Sequence, residues 1–434
     1  MKLTRREFLK DTAAITAVAG VGLQKGGKVL HALTRSAAPS LQSEEKLVTV
    51  FCPGSGCHAN CPLQVHVVDG RITKVQAAPF LDRPDDTHCC LKGLASAYFP
   101  YYPSRLKYPM KRVGARGEGK WEQITWDEAL DTIGQKLIET RDKYGAQSIL
   151  CDFAGSSQAP TAGSSINAGL AAQRFGNLFG WTNPNGWVDD TGSVVADFFT
   201  TGIDLGGDDS KDMISSNLIV VWGANPAESG FRDMKHINLA RAKGVPLVVI
   251  GPLFDPTAAK ADWWIPIRLA TDAAVGMSMI QVIIEEGLHD KEFLRRHTVA
   301  PLLVRQDNGL LLRESDILAG GSEERFAVWD EARSEAMFVD RGQQDGPDTL
   351  ALTGTYTVEG VACCPALQKL IDVVNEQYKP EQAVEITEVP AETIRELARR
   401  YASAKPATIY YNFGLGRYFH GNLSNRAQLA LAAI

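Results

Sequence analysis

The chain has 434 residues, 44% of them hydrophobic and 22% charged. That is about three domains' worth at roughly 150 residues each, and the composition excludes a disulfide-stapled miniprotein, a disordered chain and a polytopic membrane protein. The formal charge of −6 is uneven: residues 1–36 sum to +5 and leave −11 for the remainder, an acidic body without a basic face that argues against a nucleic-acid partner.

The first segment reads as an address. Thr4-Arg5-Arg6-Glu7-Phe8-Leu9-Lys10 precedes the uncharged run Ala13 to Leu23, which is too short to span a bilayer. Residues 1–43 are therefore expected to be a twin-arginine signal and linker, with cleavage between Ala32 and Ser43 or retention as a leader. The implied partners are the twin-arginine translocase and a maturation chaperone. The expected location is the periplasm or the outer face of the membrane, reached by a protein folded around its cofactor in the cytoplasm. Two arginines on a solvated helix face are the plainer alternative.

Cysteines come next. Cys52-x4-Cys57-x3-Cys61 gathers three thiols on a loop with Pro53, Gly54, Gly56 and Pro62, and Cys89-Cys90 follows. Spacing alone leaves a 4Fe–4S cluster, a four-thiolate zinc site and disulfides open. Between the two groups, Pro62 to Val75 alternates apolar and polar residues about Asp69-Gly70, a hairpin signal. With Cys90-Leu91-Lys92-Gly93, this pattern closely resembles the iron–sulfur domain of the molybdopterin oxidoreductases of the dimethyl sulfoxide reductase family. The resemblance implies a 4Fe–4S cluster on Cys52, Cys57, Cys61 and Cys90, with Cys89 a neighbour, in a domain spanning 47–110. The four-residue first gap is longer than the family's usual two or three. The resemblance also implies that Lys92 lies between cluster and pterin, where its cation steadies the reduced cluster. His58 and His66 read as surface residues.

Beyond a Pro-rich connector, Tyr98 to Pro109, Thr125 and Glu128 form a capping box for a helix. Its apolar face is Ala129, Ile133, Leu137 and Ile138. A strand from Ser148 to Phe153 and a helix from Ser165 to Phe179 follow. Asn217 to Gly223 is a buried-strand run, Asp233 to Lys243 a helix and Pro246 to Ile250 the next strand, which predicts a parallel sheet with ligands at the carboxyl ends of its strands. Neither intervening turn is a Gly-x-Gly-x-x-Gly loop, so a nicotinamide dinucleotide is not indicated. Cys151 reads as a buried thiol at a strand end, and Cys363-Cys364 as buried thiols in a loop.

The family likeness sharpens these turns. Trp222-Gly223-x-Asn225-Pro226, Asp255-Pro256-Thr257, Thr271-Asp272 and Gly414-x-x-Arg417 are similar to the strand ends that hold the guanine dinucleotide tails of two pterins. Leu269-Ala270 departs from the family's glycine before Thr271-Asp272, and His420 stands where relatives often have Asn. The molybdenum would take one protein ligand from Trp181 to Ser193, where Asp190 is first choice, Asp189 second, and Thr191 and Ser193 follow. The stretch is similar to the Trp-x-x-Asp segment of the branch with respiratory nitrate reductase and ethylbenzene dehydrogenase. Phe293 to Arg305 and Leu312 to Asp316 resemble scaffold segments of the same enzymes and of acetylene hydratase.

The resemblance implies a small iron–sulfur domain with β-hairpins, then two interleaved Rossmann-like α/β domains over 111–434 that stop before the family's C-terminal β-rich domain. The chain is thus expected to be incomplete at its C-terminus. The implied activity is a molybdenum oxidoreductase catalytic subunit that moves an oxygen atom to or from substrate, with molybdenum bis(molybdopterin guanine dinucleotide) and a 4Fe–4S cluster as cofactors. Its electron partner would be an iron–sulfur subunit, with a membrane-anchor or haem subunit beyond. A non-redox hydratase or transhydroxylase of the same family, and a non-catalytic iron–sulfur or pterin-binding fragment, are the alternatives.

Overall fold

The computed structural model describes residues 44–52, 61–81, 84, 87–151, 174–182, 191–202, 209–340 and 347–434. The signal-like segment, Cys57, His58, Asp189 and Asp190 lie outside the described residues. Two compact units divide the chain, one holding Cys52 and Cys61–Arg105, the other Leu106–Ile434.

The first unit is an antiparallel sheet of β1 (Glu45–Phe51), β2 (Pro62–Val68) and β3 (Arg71–Ala77), with β2 central. Asp69 and Gly70 join β2 to β3 at φ of 50° and 75°, the two left-handed residues that a tight hairpin of the right twist needs. Alternation along β2 sends Leu63 and Val65 inward onto Val75, with Cys52, Cys89 and Ala97 packed against them. The short helix α1 (Leu91–Ala95) and a 3-10 turn over Ser96–Tyr101 follow.

The second unit opens with the hairpin β4 (Met110–Arg112) and β5 (Trp121–Gln123) and the helix α2 (Trp126–Tyr144). The helix α3 (Thr191–Thr201) precedes β6 (Leu218–Trp222), α4 (Pro226–Ser229), α5 (Phe231–Ala242), β7 (Leu247–Ile250), β8 (Trp263–Ile265), α6 (Asp272–Glu285) and α7 (Lys291–His297). A β-rich stretch then carries β9 (Leu303–Arg305), the hairpin β10 (Arg325–Asp330) and β11 (Glu335–Asp340), β12 (Tyr356–Val358) and β13 (Val361–Pro365). The chain returns through α8 (Ala366–Gln377), α9 (Pro380–Thr387), α10 (Ala391–Ser403), β14 (Ala407–Tyr411) and α11 (Gly421–Ala433).

The central sheet has the order β14-β6-β7-β8 and every pairing in it is parallel. Both faces are covered, as the unbroken apolar run of β6 requires. Leu218, Val220 and Trp222 face Val275, Met279 and Ile283 of α6, Leu397 of α10 and Leu431 of α11. Ile219 and Val221 face the other way, onto Met234, Ile237 and Ala240 of α5. The expected Rossmann-like layering is therefore present. Among the described residues no helix is long and apolar enough to cross a membrane.

Several local expectations need correction. Only half of the capping box forms: Thr125 accepts the Glu128 N–H at 3.1 Å, but the Glu128 carboxylate turns to Lys111 at 3.0 Å. Of the supposed apolar face of α2, Ala129 is buried while Ile133 and Ile138 are exposed, so helical periodicity there did not translate into a buried stripe. Of the strand expected from Ser148 to Phe153, the described residues, which end at Cys151, form one parallel bridge, Leu150 to Thr182, after a 3-10 turn over Ala146–Ser148. The helix expected at Asp233 starts at Phe231, directly after Gly230, which both ends α4 and begins α5. Cys363 and Cys364 lie in a strand, β13, where a loop was expected; both are buried, and burial pushes the Cys363 thiol up to about 11.

Candidate functional site

In the first unit the thiols sit at strand ends and before one helix, and Cys52 and Cys89 pack against the buried face of the small sheet. Cys52 follows β1 and Cys61 precedes β2, and the Cys52 N–H donates to the Cys61 carbonyl at 2.8 Å. Cys90 is the residue before α1, and Leu94 N–H donates back to its carbonyl at 3.2 Å. Gly93 is buried one helical turn on. A Cβ there would lie 3.3 Å from the Cys52 sulfur and 3.4 Å from Cys89 Cβ, so the glycine keeps the space beside these thiols open. Burial, then the neighbouring Cys90 and Cys52, raise the Cys89 thiol. Among the described residues no three His, Cys, Asp or Glu side chains already converge as a metal group. Soft thiolates beside a cradle that a methyl would crowd fit an iron–sulfur cluster. Lys92 is exposed on α1.

In the second unit, a cleft of about 200 Å³ opens at the carboxyl ends of β6, β7 and β8. Gly223, Asn225, Asp255, Asp272 and Gly414 line it, five residues drawn from four separate turns of the chain. Ala270, noted from the sequence as a departure from the family's glycine, lines it too, as do Gly251 and Tyr418, which were not chosen as site residues. Gly251 could have been, since it directly follows a buried strand.

Support behind this lining is specific. Asp255 Oδ1 accepts from the N–H groups of Thr257 and Ala258 at 2.9 and 2.8 Å, closing its turn. The Thr257 hydroxyl, fully buried, donates to Asn225 Oδ1 at 2.7 Å and accepts from Ala227 N–H at 3.0 Å. Asn225 Nδ2 donates to Glu228 at 2.8 Å. Thr257 thus ties the turn after β7 to the turn after β6. Trp222, Pro226, Pro256, Thr257 and Arg417 do not line the cleft, and Arg417 lies 5.9 Å over the Phe413 ring.

Asp272 starts α6 with its carboxylate buried and accepts from the Trp222 indole at 2.9 Å. Burial raises its pKa, and the Trp222 bond offsets this only in part. Gly223 sits at φ 61°, and a Cβ on Gly414 would fall 2.1 Å from its carbonyl oxygen, so the two turns meet backbone to backbone.

Of the residues considered for the metal, only those inside α3 are described. Ser193 is buried, and its Oγ accepts from Asn425 Nδ2 at 3.2 Å.

A family described as molybdopterin oxidoreductase Fe4S4 domain matches residues 45–101, and one described as molybdopterin oxidoreductase matches residues 105–413. The chain is 31% identical over 397 residues to dimethylsulfide dehydrogenase subunit alpha of Rhodovulum sulfidophilum, covering 87% of this chain and 42% of that protein. It is 31% identical over 418 residues to perchlorate reductase subunit alpha of Dechloromonas aromatica, covering 87% and 44%. It is 31% identical over 458 residues to a dimethyl sulfoxide reductase of Escherichia coli, covering 100% and 48%. The chain thus spans about half the length of the curated relatives it matches. Among solved structures, acetylene hydratase from Pelobacter acetylenicus matches with a TM-score of 0.52 at 23% identity, over 89% of this chain and 43% of that one, a likeness of fold.

Proposed function

This chain belongs to the molybdopterin oxidoreductases of the dimethyl sulfoxide reductase family, and we propose that it forms the cofactor-holding part of a molybdenum oxidoreductase catalytic subunit. The carrying observation is the cleft at the carboxyl ends of β6, β7 and β8, where a parallel sheet presents turns to a ligand. Asp255 and Asn225 would meet the polar groups of a guanine dinucleotide tail. Gly223, Gly251 and Gly414 let such a tail approach the backbone, since none projects a side chain into it.

Molybdenum held by pterin dithiolenes supplies two-electron oxygen-atom chemistry when bound. This chain would contribute one hard ligand to it, with Asp190 assigned that role ahead of Asp189. Cys52, Cys57, Cys61 and Cys90 would hold the cluster that relays electrons, and Lys92 would stabilise its reduced, more negative state. An iron–sulfur partner subunit would accept or donate those electrons. Export through the twin-arginine route, led by Arg5 and Arg6, would place the enzyme outside the cytoplasm.

Metal and nucleotide analysis of protein matured anaerobically in its native host tests the whole reading. Molybdenum, about four irons by cubane stoichiometry and acid-releasable guanine nucleotide are expected together. Zinc in place of iron would sink the cluster, and iron without molybdenum would leave an electron-transfer fragment.

A further inference from the structure

Helix α3 begins at Thr191, directly after Asp189-Asp190 in the chain, and its first two turns are held through Gly192, Ser193 and Asp197. Gly192 packs backbone to backbone on Gly416: a Cβ on Gly192 would lie 2.4 Å from the Gly416 carbonyl oxygen, and one on Gly421 would lie 2.5 Å from the same atom. Ser193 accepts the Asn425 amide at 3.2 Å, with both groups buried. One turn on, the buried Asp197 accepts the Tyr411 hydroxyl at 2.9 Å. Ser193 and Asp197 are four residues apart and so share one face of α3.

Asn425 is a costly residue to bury for one hydrogen bond. It is fully buried, and its Oδ1 has no partner among the described residues. Gln428, three residues on in α11, is equally buried, with neither side-chain atom partnered among them. Apolar residues would pack an α3–α11 seam more cheaply. A directional amide instead fixes the azimuth of α3, which apolar packing specifies poorly.

We propose that Asn425 is a positioning residue: through Ser193 it sets the rotation of the first turn of α3, the helix that follows Asp189 and Asp190 in the chain. The inference rests on the reading that Asp190 ligates molybdenum.

The test uses the holoenzyme with Asn425→Ala, Ser193→Ala and the double variant, read by metal content, the Mo(V) electron paramagnetic resonance spectrum and amide hydrogen exchange. Each single variant should keep its molybdenum and show the same altered spectrum. Exchange in the first turn of α3 should quicken on the order of tenfold while α6 stays protected. The double variant should be no worse than either single, because both remove one bond. An unchanged spectrum, additive effects, or exchange quickened equally in α3 and α6 would overturn the proposal. If Asn425→Ala does not fold, Ser193→Ala carries the test alone. Wild-type protein without molybdenum would refute the proposed function instead, and in that case unchanged α3 exchange in the variants would still overturn the anchoring.

Discussion

The indole of Trp222 donates to the carboxylate of Asp272 across 2.9 Å with both side chains buried, joining the end of β6 to the start of α6 beneath the cleft. This bond converts a strand end and a helix start into one rigid floor. An intramolecular hydrogen bond of this kind contributes about 0.5–1.5 kcal/mol when its partners stay in place.

Its pH dependence follows from burial, which raises the Asp272 pKa above the ordinary 3.8. A raised carboxyl pKa means that the fold favours the protonated form. That contribution is present in full below the ordinary value and is lost as pH rises through the raised one. Asp272→Asn keeps an acceptor for Trp222 and carries no charge. Thermal melts from about pH 4 to pH 7 should show wild type losing stability relative to the Asn variant as pH rises. A relative gain for wild type over that range would contradict the assignment.

Gly414 and Gly251 line the same cleft but differ in what surrounds them. A methyl on Gly414 collides with the Gly223 backbone at 2.1 Å, whereas one on Gly251 meets nothing within 4 Å. Gly414→Ala should cost about 1–3 kcal/mol by overpacking, read by urea denaturation. Gly251→Ala should stay within about 0.5 kcal/mol of wild type and yet lower the guanine nucleotide recovered from the holoenzyme, because its methyl enters open cleft space.

Ala270 sits at φ 63°, a left-handed conformation that glycine adopts freely and alanine does not. The departure from the family's glycine therefore carries strain at the cleft rim. Ala270→Gly should raise stability on the order of 1 kcal/mol; a loss in denaturation midpoint would show that the alanine methyl packs favourably.

The two adjacent thiols before α1 should separate by function. Cys90→Ser is expected to lose the native cluster or change its type, and Cys89→Ser to retain four irons per cluster by cubane stoichiometry. Iron and sulfide analysis with electron paramagnetic resonance checks both. The opposite outcome would make Cys89 the ligand.

The metal ligand itself is tested by X-ray absorption at the molybdenum edge. Asp190→Ala should change the edge structure and abolish turnover with pterin still bound, since the residues assigned to the nucleotide tails lie elsewhere. Asp189→Ala should do much less, and a changed spectrum there with none in Asp190→Ala would reverse the choice.

Much was legible in the sequence because it is local. The unbroken apolar run Leu218 to Trp222 announces a strand covered on both faces, Asp69-Gly70 announces a hairpin, and Gly, Asn and Asp after strands mark the turns that line a cleft. The cysteine spacing and Cys90-x-Lys92-Gly93 pointed to the cluster domain for the same reason: ligands and their cradle lie close in the chain. Tertiary structure decided what depends on distant partners. Trp222 finds Asp272 50 residues away and Asn425 finds Ser193 232 residues away, so no local pattern could reveal which polar side chains would be buried or what they would hold. The short strands β9 to β13 escaped for a related reason, since three to six residues carry too little periodicity and are strands only because their partners cover them. A helical stripe such as Ile133 and Ile138 likewise states only that a face could be buried; neighbours decide whether it is.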